Sequence, residues 1–126
     1  MVKANVKSAP ALRGKVWIQH AGGMAMTEDG ADLLEQIAVL GSLSKAAVRL
    51  GFSYRRAWML LDGMNRRWHE PLVTTKIGGR HGGGARLTDL GLNVLSAYRD
   101  LQLQLEHMLD QASEGFLRTV GQPAKS

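Results

Sequence analysis

The chain has 126 residues, a length that fits one folded domain, and its 44% apolar content is ordinary for a globular protein. It has no cysteine, which excludes disulfides, thiolate metal ligands and cysteine nucleophiles. The net charge of +5 favours an anionic partner, and no apolar run is long enough to predict a signal peptide or a membrane span.

The N-terminal third predicts an arm, a hairpin and a helix. Residues 1–12 show no periodicity and are expected to be flexible. Residues 15–27 contain the pair Gly22-Gly23 and predict a short hairpin. Apolar residues at helical spacing then predict a first helix over Glu28–Leu40, which Gly41 ends.

Two further helices are predicted close together. Ser42–Leu50 is a short second helix whose N-cap is Ser42 or Ser44. Gly51 supplies a tight turn, and Ser53 caps a third helix that runs to about Trp68. Two short helices joined in this way are typical of a helix-turn-helix.

The remaining elements are a hairpin and a long helix. Leu72–Ile77 is rich in β-branched residues and predicts a strand, residues 78–84 predict a flexible loop, and Ala85–Leu87 predicts the return strand. Thr88 is expected to cap a final helix that reaches about Glu114, and residues 119–126 are expected to form a flexible tail.

The predicted fold is mainly α with a small β-hairpin wing: a winged helix-turn-helix with a long C-terminal dimerisation helix, in one domain over residues 13–118. Its middle part is strongly basic. Between Ser42 and Arg86 there are nine basic residues and two acidic ones, whereas the rest of the chain holds seven basic and nine acidic residues. This distribution favours double-stranded DNA as the partner.

The third helix predicts the base contacts. Arg55 and Arg56 project from its first turn, where a recognition helix reaches base edges, and arginine can donate two hydrogen bonds to guanine. Ser53 and Tyr54 are expected to contact phosphates. Trp58 borders the inward apolar stripe and is predicted to be a core residue. The alternative for the two arginines is solvated charge on an amphipathic helix.

The glycine-rich hairpin predicts further phosphate contacts, because glycines let a basic loop approach a DNA backbone. The alternative interpretation is that this glycine-rich segment is only the flexible tip of a hairpin. A nucleotide phosphate loop is excluded, since the pattern Gly-x-x-x-x-Gly-Lys-Ser/Thr does not occur. The complete set of predicted DNA contacts is Ser42, Ser44, Lys45, Ser53, Tyr54, Arg55, Arg56, Lys76, Arg80, His81 and Arg86.

The final helix predicts self-association. Apolar residues recur alternately four and three apart, as in a coiled coil, and the helix is longer than a small domain needs. The predicted dimer residues on this helix are Val94, Tyr98, Leu101, Leu105 and Met108. The alternative is an ordinary core helix with a broad apolar face.

No catalytic arrangement is recognisable. The four histidines are isolated, no metal-ligand spacing occurs, and no nucleophile lies beside a base. We therefore expect neither an enzyme nor a bound metal or cofactor.

Residues 33–98 resemble the N-terminal DNA-binding domain of the ModE family, the bacterial molybdate-responsive regulators. The matching motifs are Gly41-Ser42-Leu43-Ser44-Lys45-Ala46-Ala47, Ser53-Tyr54-Arg55-Arg56-Ala57-Trp58, Met64-Asn65, Pro71-Leu72-Val73, Gly78-Gly79-Arg80-His81-Gly82-Gly83-Gly84 and Leu87-Thr88-Asp89-Leu90-Gly91. A looser similarity extends to LysR-type regulators, which share the first and last of these motifs but not the glycine-rich loop.

The resemblance implies a winged helix, a cytoplasmic location and a dimer formed by the first and last helices, which adds Leu33, Leu34 and Ile37 to the predicted dimer residues. The family's molybdate-binding region would follow the long helix, and the sequence ends at Ser126, so molybdate binding is not expected to carry over. The predicted function is a sequence-specific, homodimeric DNA-binding regulator. The alternatives are a sequence-blind architectural protein and a protein or ligand adaptor.

Overall fold

The computed structural model describes residues 11–76 and 84–121, which form four helices and two short antiparallel hairpins. In chain order the elements are β1 (Ile18–His20), β2 (Gly23–Met26), α1 (Glu28–Leu40), α2 (Leu43–Leu50), α3 (Tyr54–Arg66), β3 (Val73–Lys76), β4 (Gly84–Leu87) and α4 (Asp89–Val120). The predicted winged helix-turn-helix with a long last helix is confirmed. In the two described ranges, no helix is long and apolar enough to cross a membrane.

Each helix begins after a hydroxyl residue in extended conformation, whose side chain accepts a hydrogen bond from a backbone N–H in the first turn. These N-caps are Thr27, Ser42, Ser53 and Thr88. The choice that the sequence left open falls on Ser42, whose Oγ accepts from the Lys45 N–H at 3.1 Å. The cap hydroxyls therefore fix where α2, α3 and α4 start.

The turn between α2 and α3 depends on Gly51. This residue adopts the left-handed conformation at φ 73°, which glycine enters without a side-chain penalty. The Phe52 N–H then donates to the Ala47 carbonyl at 2.9 Å, so the chain reverses within two residues. α3 therefore starts beside the end of α2, as the helix-turn-helix prediction requires.

One apolar core joins α1, α2, α3 and the start of α4. Five of the predicted dimer residues belong to it: Leu33, Leu34, Ile37, Val94 and Tyr98 are between 0% and 8% exposed in the single chain. This corrects their assignment, because side chains enclosed by their own domain present no surface to a second copy. Helical spacing identifies an apolar face, and it does not identify which partner covers that face.

The second hairpin is the wing. β3 and β4 pair in antiparallel register from Val73 opposite Leu87 to Lys76 opposite Gly84. The predicted contacts Arg80 and His81 lie outside the described residues, as does most of the predicted arm and tail.

The last helix is longer than the sequence predicted, running to Val120 and ending beyond Glu114. Its middle is covered by the N-terminal segment 11–16. Leu12 donates a backbone hydrogen bond to the Ser113 hydroxyl at 3.0 Å, and the Tyr98 hydroxyl donates to the Val16 carbonyl at 2.6 Å. This segment shields one side of α4 and leaves other sides exposed.

Candidate nucleic-acid interface

The N-terminal end of α3 is exposed in the described part of the chain. Ser53 caps the helix through a 3.0 Å bond from the Arg56 N–H. Tyr54 is 56% exposed, and Arg55 is exposed beside it. Basic and hydrogen-bonding side chains at a free helix N-terminus are suited to an anionic partner.

Arg56 behaves differently from its neighbour. Its guanidinium forms an ion pair with Asp29 in the first turn of α1, and it lies 4.1 Å from the centroid of the Phe52 ring. Both interactions draw the side chain back over the helix-turn-helix. Although the sequence predicts Arg56 as a base contact, the structure places it as a link between α3 and α1.

A groove of about 570 Å³ separates α3 from the wing. It brings together four predicted contacts from three elements and their caps: Ser42, Ser44, Tyr54 and Lys76. The remaining lining residues are Leu43, Trp58, Leu61, Asp62, Asn65, Thr75, Gly84 and Ala85. The groove thus combines hydroxyl groups and an ammonium group with exposed aromatic surface.

Trp58 was predicted to be a core residue, and that prediction is wrong. Its side chain is 49% exposed and lines the groove, one helical turn after Tyr54. The physical reason lies in the angular position of Trp58. Ala57, Leu61 and Met64 fill the buried face of α3, and Trp58 stands at the edge of that face, where the wing leaves space.

Among the described residues, five predicted contacts lie outside the groove: Lys45, Ser53, Arg55, Arg56 and Arg86. Lys45 is on the outer side of α2, beside Val48 and Arg49. Arg55 lies on the side of α3 next to Met59. Arg86 is opposite Thr74 in the hairpin, and by strand alternation it faces away from Ala85, which lines the groove. The predicted set is therefore spread around the helix-turn-helix and both faces of the wing.

Asn65 has a structural role that the sequence analysis did not assign. Its Oδ1 accepts from the Leu72 N–H at 2.9 Å and from the Val73 N–H at 3.3 Å. Its Nδ2 donates to the Val73 carbonyl at 3.1 Å. The amide therefore pairs with the start of β3 as a neighbouring strand would, and it sets the distance between α3 and the wing. The sequence indications were an amide residue at the end of a helix just before a strand, and the Met64-Asn65 motif of the family resemblance.

Two side chains with shifted pKa values, Tyr98 and Arg99, lie at the junction of α4 with α1, away from the groove. Burial, with help from the charge of Glu28, raises the pKa of the Tyr98 hydroxyl. For Arg99, burial opposes the charged form, yet hydrogen bonds to Asp32 at 2.8 Å and Glu35 at 2.9 Å raise its pKa overall. Over residues 11–76 and 84–121, no group of three or more acidic or histidine side chains could hold a metal ion.

Curated relatives share this part of the molecule, although no family model matches the chain. The chain is 39% identical over 99 residues to the molybdenum transport protein ModE of Azotobacter vinelandii, covering 79% of this chain and 37% of that protein. It is 37% identical over 81 residues to the molybdenum-pterin-binding protein MopA of Rhodobacter capsulatus, covering 64% and 31%.

A third relative has a regulatory name. The DNA-binding transcriptional dual regulator ModE of Escherichia coli (strain K12) is 40% identical over 74 residues, covering 59% of this chain and 28% of that protein. The chain thus spans about a third of the length of the curated relatives it matches. The resemblance carried by the helix-turn-helix and wing motifs is confirmed: over the matched stretch, this chain is similar to proteins named ModE.

Proposed function

We propose that this protein binds double-stranded DNA and regulates transcription as a homodimer that recognises a specific sequence. The observation that carries the proposal is the exposed N-terminal end of α3, where Arg55 stands beside a groove lined by hydroxyls and Lys76. The names of several relatives, such as the transcriptional regulator ModE of Haemophilus influenzae, support the same function.

In this proposal α3 enters the major groove and Arg55 reads a base. An exposed guanidinium at the start of a recognition helix can donate two hydrogen bonds to guanine. Arg56 is held by Asp29 and contributes to the fold of the helix-turn-helix. Lys45, Lys76 and Arg86 contact phosphates on either side, and Arg80 and His81 would extend these contacts along the wing.

The proposed dimer contact is an apolar stripe on α4 formed by Leu101, Leu105 and Met108. These residues follow the four-and-three spacing of a helix seam. Leu101 is 40% exposed and Met108 is 55% exposed, so both are available to a second chain. A two-fold dimer would present two copies of α3 to half-sites about 34 Å apart, one turn of DNA.

The experiment that tests DNA recognition is selection of bound duplexes from a random library, followed by affinity measurements at two salt concentrations. We expect enrichment of an inverted repeat and affinity that falls steeply with salt, because phosphate contacts release counterions. Salt-sensitive binding without enrichment would indicate a sequence-blind architectural protein. Absence of binding at low salt would refute the DNA proposal and favour an adaptor.

The dimer is tested by sedimentation equilibrium of two matched variants. L101D places a charge in the proposed stripe, and L103D places the same charge at a site that is 64% exposed on another side of the helix. We expect L101D to dissociate the dimer and L103D to leave it intact. Dissociation by L103D alone would move the interface to the other side of α4, and a monomeric parent protein would refute the dimer.

A further inference from the structure

Hydrogen bonds within the protein set the spacing between α3 and the wing, and hence the width of the groove. Asn65 joins the end of α3 to β3, and Ala85 donates its N–H to the Gly41 carbonyl at 3.0 Å, which ties β4 to the end of α1. Two separate attachments therefore fix the position of the wing relative to α3. The space of about 570 Å³ between them is part of the fold.

Both polar and apolar groups line the groove. Hydroxyls come from Ser42, Ser44, Tyr54 and Thr75, and an ammonium comes from Lys76. The start of α2, capped by Ser42, turns its positive end toward the same space. These groups suit phosphate oxygens, which accept hydrogen bonds and attract cations.

The apolar part of the lining is dominated by one exposed ring. Trp58 is 49% exposed, so about half of this large apolar side chain remains uncovered by the described residues. The carboxylate in the lining, Asp62, is paired with Arg66 at 3.0 Å. An aromatic surface flanked by phosphate-binding groups matches the alternation of apolar sugar and charged phosphate along a nucleic-acid strand.

The position of the groove agrees with that chemistry. When a recognition helix occupies the major groove and a wing reaches the neighbouring minor groove, one DNA strand must pass between them. In this protein the space between those two elements is the groove that Trp58 lines.

We propose that one sugar–phosphate backbone lies in this groove and that Trp58 packs against a deoxyribose of it, while Lys76 and the hydroxyls hold the flanking phosphates. This inference rests on the DNA binding proposed above. It assigns Trp58 a contact that is apolar and independent of base sequence. Such a contact adds affinity without displacing counterions, so it leaves the salt dependence of binding unchanged.

The test compares W58A with K76A on labelled duplexes, using the enriched duplex and a scrambled one at several salt concentrations. We expect W58A to weaken binding to both duplexes by about tenfold, the scale of one lost apolar contact. The slope of log affinity against log salt should stay at the parent value in W58A. In K76A the slope should become shallower by about 0.9, the value for one phosphate contact. W58F, which keeps an aromatic ring, should recover most of the affinity.

A second measurement follows the ring itself. In W17F the remaining tryptophans are Trp58 and Trp68, and Trp68 is bonded to the Ala25 carbonyl at 3.0 Å. DNA should protect the fluorescence of W17F from acrylamide, and it should give no added protection in W17F/W58F. This measurement holds even where W58A folds poorly.

Three outcomes would overturn the inference. If the parent protein binds DNA but W58A keeps full affinity and W17F gains no protection, Trp58 does not contact the backbone, and DNA binding itself stands. If W58A changes the preferred sequence, the ring reads bases. If the parent protein binds no duplex at all, the proposed function fails together with this contact.

Discussion

Asn65 and Val73 are hydrogen-bonded in both directions: the Val73 N–H donates to Oδ1 at 3.3 Å, and Nδ2 donates to the Val73 carbonyl at 3.1 Å. A side-chain amide thus takes the place of a third strand beside the wing. Because Asn65 belongs to α3, these bonds connect α3 directly to the start of the wing.

We expect N65A to destabilise the protein by about 1–3 kcal/mol, since it leaves polar backbone groups of Leu72 and Val73 without partners. The free energy of unfolding, measured in urea, checks this. M59A is the matched control on the same helix, because Met59 is 57% exposed. Equal losses in the two variants would show that the amide bonds add nothing.

Arg55 and Arg56 are adjacent in sequence and are expected to respond oppositely. R55A should cost about 1–3 kcal/mol of binding to the enriched duplex and relax the sequence preference. R56A should keep the preference and lose stability, with a coupling to Asp29 of about 0.2–1 kcal/mol because both side chains are half exposed. Binding selections check the first expectation, and a double-mutant cycle with D29A checks the second. Equal loss of sequence preference in R55A and R56A would contradict the expectation that the two arginines differ.

We expect the replacement of glycine by alanine to have opposite effects on stability at two positions of α4. A Cβ on Gly91 would lie 2.1 Å from the Leu72 carbonyl oxygen, so G91A should cost about 1–3 kcal/mol of unfolding free energy. A Cβ on Gly115 meets only the Arg118 guanidinium, at 3.7 Å, so G115A should stabilise the helix by about 0.5–1 kcal/mol. Thermal unfolding of both variants is the measurement, and a shift of the same sign in both would argue against the close approach.

The buried hydroxyl of Tyr98 predicts a loss of stability in alkali. Burial raises its pKa above the ordinary value of 10.0, so the unfolded chain loses this proton first. The stabilising contribution of the neutral phenol is complete below pH 10.0 and is lost as pH rises through the higher pKa of the folded state.

Y98F removes this titration together with the bond to Val16. At neutral pH it should cost about 0.5–1.5 kcal/mol of unfolding free energy. The difference between parent and variant should shrink as pH rises above 10.0. Urea unfolding at a series of pH values checks this, and a constant difference would mean that the phenol does not titrate with unfolding.

The elements were predictable because their determinants are local. The hydroxyl caps Ser53 and Thr88 and the stop at Gly41 act within one helical turn, so the starts of α3 and α4 and the end of α1 agree with expectation. The winged helix-turn-helix followed from the order of these elements.

The site was less predictable, because its geometry depends on contacts between distant segments. The pairing of Arg56 with Asp29 joins positions that are far apart in sequence, and no local pattern separates Arg56 from Arg55. The exposure of Trp58 depends on where the wing lies. Likewise, burial of Tyr98 depends on the N-terminal segment that crosses α4.

The close contact at Gly91 gives α4 a mechanical role. Thr88 donates its hydroxyl to the Pro71 carbonyl at 2.7 Å and its N–H to the Leu72 carbonyl at 2.9 Å, so the helix is fastened to the start of the wing. Its 32 residues extend about 48 Å at about 1.5 Å per residue. α4 is therefore anchored to the wing at its N-terminal end, and most of its length extends beyond that attachment. If the proposed dimer forms through α4, a change in the angle between the two helices would reposition both wings and both copies of α3 at once.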